Sequence, residues 1–315
     1  MSNIIYAPKS WNPISGCSPV SEGCANCWAK AMARRQRQEW GTVHLHEKRL
    51  EQPLHWRKPR TVAVAFMGDL FHDQVPDDFI DKVFAVMALT PQHTYLLLTK
   101  RPERMRAYLS DPSRKTATSW EMDRVLTKWS GWGAGLIPPL TWPLPNVFLG
   151  VSCENQARAD ERIPLLLDTP AAHRWLSLEP LLGPVNLSAW LPFQCTNPLY
   201  HAPKAMRHPD QCYICEGTGM ALHLNVGHSG LTCDPLDWVV IGGESGPHAR
   251  PCDLDWIRDG RDQCKAAGTA FYMKQLGSVW AREQGGTWRF DSKGEYEPYW
   301  PLDLWVRETP EGAKA

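Results

Sequence analysis

The sequence lacks any apolar run that approaches the roughly 20 residues needed by a membrane-spanning helix. It also lacks the apolar segment of a secretory signal peptide, since Asn, Tyr and Pro occupy the N-terminal stretch. These absences predict a soluble, cytoplasmic chain with no membrane partner. With 315 residues, 43% of them hydrophobic, the chain can bury a full core in one large domain or two smaller ones.

Net charge is also lacking, because 34 basic residues balance 34 acidic ones, but the balance is uneven. Between residues 30 and 60, nine Lys or Arg residues stand against Glu39, Glu47 and Glu51. Such a surplus is typical of a surface that binds a nucleic acid or nucleotide, and equally of a solvated helix face. The nine basic residues are Lys30, Arg34, Arg35, Arg37, Lys48, Arg49, Arg57, Lys58 and Arg60.

The first group of cysteines, in turn, has no fourth member. Cys17, Cys24 and Cys27 fall within eleven residues. Four thiolates would close a tetrahedral metal site, whereas three leave one coordination position open for a substrate or cofactor. Seven of the ten cysteines cluster locally, which in a reducing compartment indicates metal ligation rather than disulfides. The group therefore predicts a reactive metal centre.

Short apolar runs alternate with segments of helical periodicity along most of the chain. Continuous apolar strands separated by helices indicate a parallel sheet covered on both faces. The pattern predicts an α/β fold, a partial (β/α)6–7 TIM-type barrel of parallel strands, with an open doubly wound sheet as the alternative. The predicted strands are 61–67, 93–98, 147–151, 173–178, 238–241 and 270–273, and the predicted helices are 77–89, 102–109, 157–167 and 254–267.

Polar residues follow each predicted strand at its carboxyl end. In α/β barrels the loops at that end assemble the active site, so these residues are candidates for a polar pocket. Each one is also a common turn former or helix cap, and internal ion pairs such as Lys100 with Glu154 or Glu179 with Lys274 are the structural alternative. The candidates are Asp69, Thr99, Lys100, Ser152, Glu154, Glu179, Glu244, Ser245, Lys274 and Gln275.

A second group of cysteines interrupts the alternation of strands and helices between residues 191 and 235. Cys212 and Cys215 form a C-x2-C knuckle followed by Gly, a turn that lets two sulfurs converge on one ion. A structural Zn²⁺ would let these residues hold a shape, and a second iron–sulfur cluster is the alternative. The expected ligands are Cys195, Cys212, Cys215 and Cys233, with His201 or His208 as replacements for an outer cysteine.

Three stretches of chain follow from these patterns. Residues 1–190 are predicted to form the first part of the barrel and to carry the loop of the first cysteine group. Residues 191–235 form a zinc-binding-like insertion. Residues 236–315 supply the last strands and a C-terminal tail rich in Trp, Gly, Glu and Pro.

Motifs spread over nearly the whole chain, except the insertion, resemble those of the phage-associated three-cysteine-motif proteins. This family occurs in bacteriophages and prophages and is related to radical S-adenosylmethionine enzymes. Besides residues 11–29, the motifs are 68–72 (GDLFH), 98–102 (LTKRP), 150–154 (GVSCE), 178–184 (LEPLLGP), 242–246 (GGESG) and 274–277 (KQLG).

The resemblance implies that Cys17, Cys24 and Cys27 bind a [4Fe-4S] cluster whose fourth iron is chelated by S-adenosylmethionine. An external reductant would then drive homolytic cleavage of the cofactor, and the deoxyadenosyl radical would abstract hydrogen from the substrate. The usual spacing in that superfamily is C-x3-C-x2-C, whereas the first gap here has six residues. Gly16 and Gly23 supply backbone freedom to the longer loop.

The same resemblance places the residues at the strand ends around the cofactor. Gly68 and Asp69 would meet its amino group, because a carboxylate suits an ammonium. The groups around its carboxylate and ribose would be Thr99, Lys100, Ser152 and Glu154. The groups left for cofactor or substrate would be Glu179, Glu244, Ser245 and Lys274.

The leading hypothesis is a radical S-adenosylmethionine-like iron–sulfur enzyme that acts on a nucleoside or nucleic acid. The alternative is a non-catalytic nucleic-acid-binding protein in which both cysteine groups hold zinc, with His44 or His46 as the missing ligand. A lyase that repairs DNA photoproducts shares the superfamily, but no residue specifically favours it. Cys153 is either a hydrogen donor in a radical mechanism or a small buried hydrophobe.

Overall fold

Seven parallel strands follow one another across a single curled sheet in the order in which they occur in the chain. The computed structural model describes residues 4–130, 139–192, 236–284 and 291–313. Because the strand order never reverses, the sheet is a half-barrel and not a doubly wound sheet. The strands are β1 (Lys9–Trp11), β4 (Thr61–Val64), β5 (Thr94–Thr99), β6 (Val147–Ser152), β7 (His173–Leu178), β8 (Trp238–Gly242) and β9 (Ala270–Gln275). A separate antiparallel pair consists of β2 (Ile14–Ser15) and β3 (His44–Leu45).

Helices connect the strands. They are α1 (Trp28–Arg35), α2 (Glu47–Leu50), α3 (Asp77–Leu89), α4 (Pro102–Ser110), α5 (Ser113–Ser130), α6 (Gln156–Leu167), α7 (Leu254–Ala267) and α8 (Ser278–Glu283). Local sequence explains several ends. The Asn155 side chain caps α6 by accepting the backbone N–H of Arg158, and α7 ends at Gly268, whose φ of 70° suits glycine.

The sheet buries a different core on each face. Its convex face packs against the helices through alternate strand residues such as Val62, Leu97 and Ile241. Its concave face carries an aromatic cluster in which the Trp175 and Trp238 ring centroids are 5.8 Å apart. Because these rings fill the interior of the half-barrel, the polar groups lie at the strand ends.

The amino ends of two strands are closed by the C-terminal segment. Thr61 Oγ1 donates a hydrogen bond to the Ala313 carbonyl at 3.0 Å, and Thr94 Oγ1 donates to the Gly312 carbonyl at 2.7 Å. The carboxyl ends of the strands therefore provide the face on which a site can form.

The α/β fold and the parallel half-barrel are confirmed. Of the cysteine-rich insertion, residues 193–235 fall outside the described part of the chain. The division into three stretches stays a prediction. Within the described ranges, no helix has both the length and the apolar character needed to cross a membrane. The predicted zinc ligands outside the described residues are Cys195, Cys212, Cys215 and Cys233, together with His201 and His208.

Candidate functional site

The first three cysteines lie on one segment, residues 16–27, which we call the cysteine loop. All three thiols are free and partly buried. The loop begins beside the carboxyl end of β4, where the Gly16 N–H donates to the Met67 carbonyl at 3.0 Å. Its last residue, Cys27, directly precedes α1, and Cys24 ends a 3-10 turn. The cysteine loop therefore lies at the carboxyl-end face of the sheet.

Arg101, which follows β5, binds the start of the cysteine loop. Its Nη1 atom donates to Asp69 Oδ2 at 3.1 Å and lies 3.5 Å from Cys17 Sγ. Its Nη2 atom donates to the carbonyl and hydroxyl oxygens of Ser18 at 3.1 and 2.9 Å. The Ser18 hydroxyl is also 2.8 Å from His72 Nε2. One guanidinium thus joins two strand ends to the first cysteine.

Asp69 is only 4% exposed, and both oxygens of its carboxylate accept hydrogen bonds from the protein. Its Oδ1 atom accepts from Thr99 Oγ1 at 2.7 Å and from the Phe71 N–H at 3.0 Å. Its Oδ2 atom accepts from the Lys100 N–H at 3.2 Å as well as from Arg101. An ammonium group would have to replace one of these bonds, and the contact of Asp69 with a cofactor stays a prediction.

Glu154, which follows β6, holds the middle of the cysteine loop. The residue is 0% exposed, and its Oε1 atom accepts the Gly23 N–H at 3.2 Å. Its Oε2 atom pairs with Lys100 Nζ at 3.4 Å and Arg162 Nη1 at 3.1 Å. A Cβ atom at Gly23 would lie 2.6 Å from Lys100 Nζ, so glycine permits this close approach.

The environments of Cys17 and Cys24 shift their thiol pKa values in opposite directions. Burial raises the pKa of Cys17 to about 11, the charge of Asp69 adds to the rise, and Arg101 opposes it. Burial also disfavours the Cys24 thiolate, but the Lys100 charge and nearby backbone N–H groups together lower the pKa of Cys24 below its ordinary value. Of these two thiols, Cys24 has the lower pKa and therefore ionises more easily.

The end of the cysteine loop is held from β8. Asn26 Nδ2 donates to Glu244 Oε2 at 3.1 Å, and Arg250 Nη2 donates to Glu244 Oε1 at 2.6 Å. Arg250 Nη1 also donates to the Glu22 carbonyl at 3.1 Å. The Glu22 carboxylate in turn accepts from Arg158 at 3.2 Å. Side chains that follow four strands thus hold the loop in place.

A further ion pair, away from the cysteine loop, joins the ends of β7 and β9. Lys274 Nζ lies 3.0 Å from the Glu179 carboxylate and 5.7 Å from the centroid of the Tyr6 ring. Ser177 Oγ donates to Glu179 Oε2 at 3.3 Å, and Ser152 Oγ donates to the Glu179 carbonyl at 3.0 Å. Both ion pairs anticipated from the sequence, Lys100 with Glu154 and Glu179 with Lys274, are therefore present.

The predicted site residues fall into two sets. The first set contacts or supports the cysteine loop, the second surrounds the Glu179 carboxylate, and Ser245 is half-exposed beside Glu244. Arg101 follows directly on the predicted pair Thr99-Lys100, but its contact with Cys17 has no signal in sequence spacing. The first set is Gly68, Asp69, Thr99, Lys100, Glu154 and Glu244, and the second is Ser152, Glu179 and Lys274. Gln275 belongs to neither set, because its Nε2 atom donates to the Gly243 carbonyl. Sequence analysis missed Ser18, Asn26, His72, Arg101, Arg162, Ser177 and Arg250.

The described residues do not form a closed site for a single metal ion around the cysteine loop. Within the described part of the chain, no three His, Cys, Asp or Glu side chains converge as ligands of one ion. His46 Nε2 is bonded to Ser15 Oγ at 2.8 Å, and His44 is exposed in β3. A four-iron cluster binds each cysteine through a different iron, so its ligands are spaced farther apart. Binding of a cluster by the cysteine loop stays a prediction.

Cys153 belongs to the core. It is 0% exposed, and burial raises the pKa of its thiol well above the ordinary range. The structure therefore supports its role as a small buried hydrophobe.

The basic stretch that follows the cysteine loop presents a charged surface. Arg34 and Arg35 at the end of α1 are exposed, as is Arg37 just beyond it. The acidic neighbours Glu47 and Glu51 pair with lysines from α3 and α5, namely Lys82 and Lys128. Those pairs reduce the negative charge near the basic residues.

Fold and site together define a class of protein: an α/β half-barrel with a three-cysteine loop held at the carboxyl ends of its strands. The chain belongs to the family described as protein of unknown function (DUF5131), whose family model matches residues 1–305. No curated protein and no solved structure matches the chain.

Proposed function

We propose that this protein is a radical S-adenosylmethionine-like iron–sulfur enzyme of phage or prophage type that acts on a nucleoside or nucleic acid. The observation that carries the proposal is the cysteine loop, with three thiols and no fourth cysteine, held at the carboxyl-end face of a parallel half-barrel. Cys17, Cys24 and Cys27 would hold the [4Fe-4S] cluster. Bound there with S-adenosylmethionine, the cluster supplies one-electron reductive chemistry that starts radical reactions.

The protein's own residues fix where the thiols stand. The six-residue gap between Cys17 and Cys24 includes Ser18, Glu22 and Gly23, and each of these bonds to a side chain from a strand end or from α6. The longer gap is thus used to attach the loop, which supports its fit to a cluster. Ligands held in advance by surrounding hydrogen bonds lose little freedom on binding.

The remaining polar groups are proposed to orient the cofactor and substrate. One hydrogen-bonded group at the strand ends consists of Glu179, Lys274 and Ser152. Ser245, which follows β8 in the sequence, is half-exposed. The insertion at 191–235 is proposed to hold a structural Zn²⁺ through its four cysteines, at a separate site. An external reductant is the further partner that this chemistry needs.

Anaerobic purification and reconstitution test the cluster. We expect about four iron and four sulfide per chain, and formation of 5′-deoxyadenosine from S-adenosylmethionine with a reductant. Cys17→Ala, Cys24→Ala and Cys27→Ala should each lose most of the iron, because one thiolate ligand is removed. Cys252→Ala, which alters a partly buried cysteine outside the loop, should keep it.

Wild-type protein that binds neither iron nor sulfide after reconstitution would contradict the proposal. Zinc at about two ions per chain, without cleavage of S-adenosylmethionine, would instead support the non-catalytic nucleic-acid-binding protein.

Salt dependence of binding tests the nucleic-acid part. Affinity for a single-stranded DNA or RNA probe should fall as salt rises, because lysine and arginine contacts release counterions. The triple variant Arg34→Gln, Arg35→Gln and Arg37→Gln should reduce the slope of log affinity against log salt by about 2. Lys115→Gln, an exposed position on α5, is the control. Binding that does not respond to salt contradicts a role for the basic stretch.

A further inference from the structure

The Arg101 guanidinium is held by three hydrogen bonds to the oxygens of two residues. Asp69 accepts from Nη1, both oxygens of Ser18 accept from Nη2, and the side chain is about nine-tenths buried. The Nη1 atom that binds Asp69 is also the one that lies 3.5 Å from Cys17 Sγ. The direction of this N–H group toward the sulfur is therefore fixed by the protein.

We propose that Arg101 is a positioning residue that donates a charge-assisted hydrogen bond to the Cys17 thiolate and raises the reduction potential of the cluster. The inference rests on the proposed iron–sulfur function. A hydrogen bond to a ligand sulfur withdraws electron density and so stabilises the more negative, reduced cluster. Burial strengthens the effect, because water screens the guanidinium less.

The two cysteines beside strand-end cations are not equivalent. Lys100 acts on Cys24 through its charge, and the hydroxyl of Ser21 lies 3.9 Å from the Cys24 sulfur. Cys17 instead has a charged donor within hydrogen-bonding distance for sulfur. Arg101 thus distinguishes the first ligand from the second.

A redox titration monitored by electron paramagnetic resonance tests this role in the reconstituted protein. Arg101→Gln should shift the reduction potential of the cluster downward, because the charged donor is lost. Arg101→Lys, which keeps the charge, should recover part of the shift. Asp69→Asn should shift the potential upward, because the guanidinium then lies near Cys17 without its neutralising carboxylate.

One control variant separates this effect from a general change of charge. Arg104 lies on α4, one helical turn beyond Arg101, and binds Asp77 and two backbone carbonyls. Arg104→Gln should therefore keep the wild-type potential.

Each result decides between two claims. An Arg101→Gln cluster with the wild-type potential overturns the positioning role and leaves the cluster assignment standing. A wild-type protein without iron or sulfide overturns the proposed function itself. If Arg101→Gln cannot hold the cluster, Asp69→Asn carries the test, and a potential at or below that of wild type overturns the positioning role.

Discussion

Glu154→Ala should lower the free energy of unfolding by about 3–5 kcal/mol, since it leaves buried cations without their carboxylate. Arg162 is 1% exposed and would keep a bond to the Ser152 carbonyl but lose its counter-ion. Lys100 is 17% exposed, so it can turn toward water at smaller cost. The Gly23 N–H would lose its acceptor as well, which frees the middle of the cysteine loop.

Urea denaturation followed by circular dichroism measures this loss. A double variant, Glu154→Leu with Arg162→Met, should recover much of the stability, because no buried charge then remains unpaired. Glu161→Ala is the matched control on the same helix, since its carboxylate is 43% exposed and pairs at the surface with Arg158. A Glu154→Ala protein as stable as that control would contradict the bracing role of Glu154.

Gly16→Ala should displace the start of the cysteine loop. The φ of Gly16 is 89°, and a Cβ atom there would lie 1.9 Å from the Thr42 carbonyl oxygen. The Thr42 backbone cannot move aside as a flexible side chain can, so the overlap adds to the strain of the positive φ. We therefore expect a loss of about 2–4 kcal/mol in unfolding free energy. Iron bound after reconstitution should fall too, because Cys17 is the next residue.

Gly41→Ala separates the two contributions. Gly41 has a φ of 111°, but a Cβ atom there would meet nothing within 4 Å. Its replacement therefore costs backbone strain alone, about 1–2 kcal/mol, and should leave the bound iron unchanged. Denaturant titrations measure the unfolding free energy of both variants. Equal losses would show that a small shift of the backbone relieves the overlap with Thr42.

The sheet was predictable because its interior strands are buried on both faces and are continuous apolar runs. The predicted strand 173–178 coincides with β7, and helix 77–89 coincides with α3. Strand 61–67 ends early, at Val64, because Ala65 adopts a φ of 60° and turns the chain. The first strand, Lys9–Trp11, has three residues and two polar side chains, too few for a period to appear.

The site was predictable in its location and in two of its ion pairs, Lys100 with Glu154 and Glu179 with Lys274. Parallel strands place their carboxyl ends together, so polar residues after distant strands had to meet. The arginine contacts depend on side-chain direction, which the sequence does not supply. Arg101 binds Asp69, which follows β4, and Arg162 binds Glu154, which follows β6. The sequence spacing of these residues does not predict either pair.

The bonds of the cysteine loop span most of the chain. They must therefore form in a set order as the chain is synthesised. Asn26 binds Glu244, 218 positions away, and the Glu22 carbonyl binds Arg250, 228 positions away. On the ribosome the cysteines emerge early and these partners emerge late. Until then the end of the cysteine loop lacks these two bonds, whereas Arg101 and Glu154 can already hold its start and middle. The full set of bonds to the loop can therefore form only late in synthesis, after Arg250 has emerged.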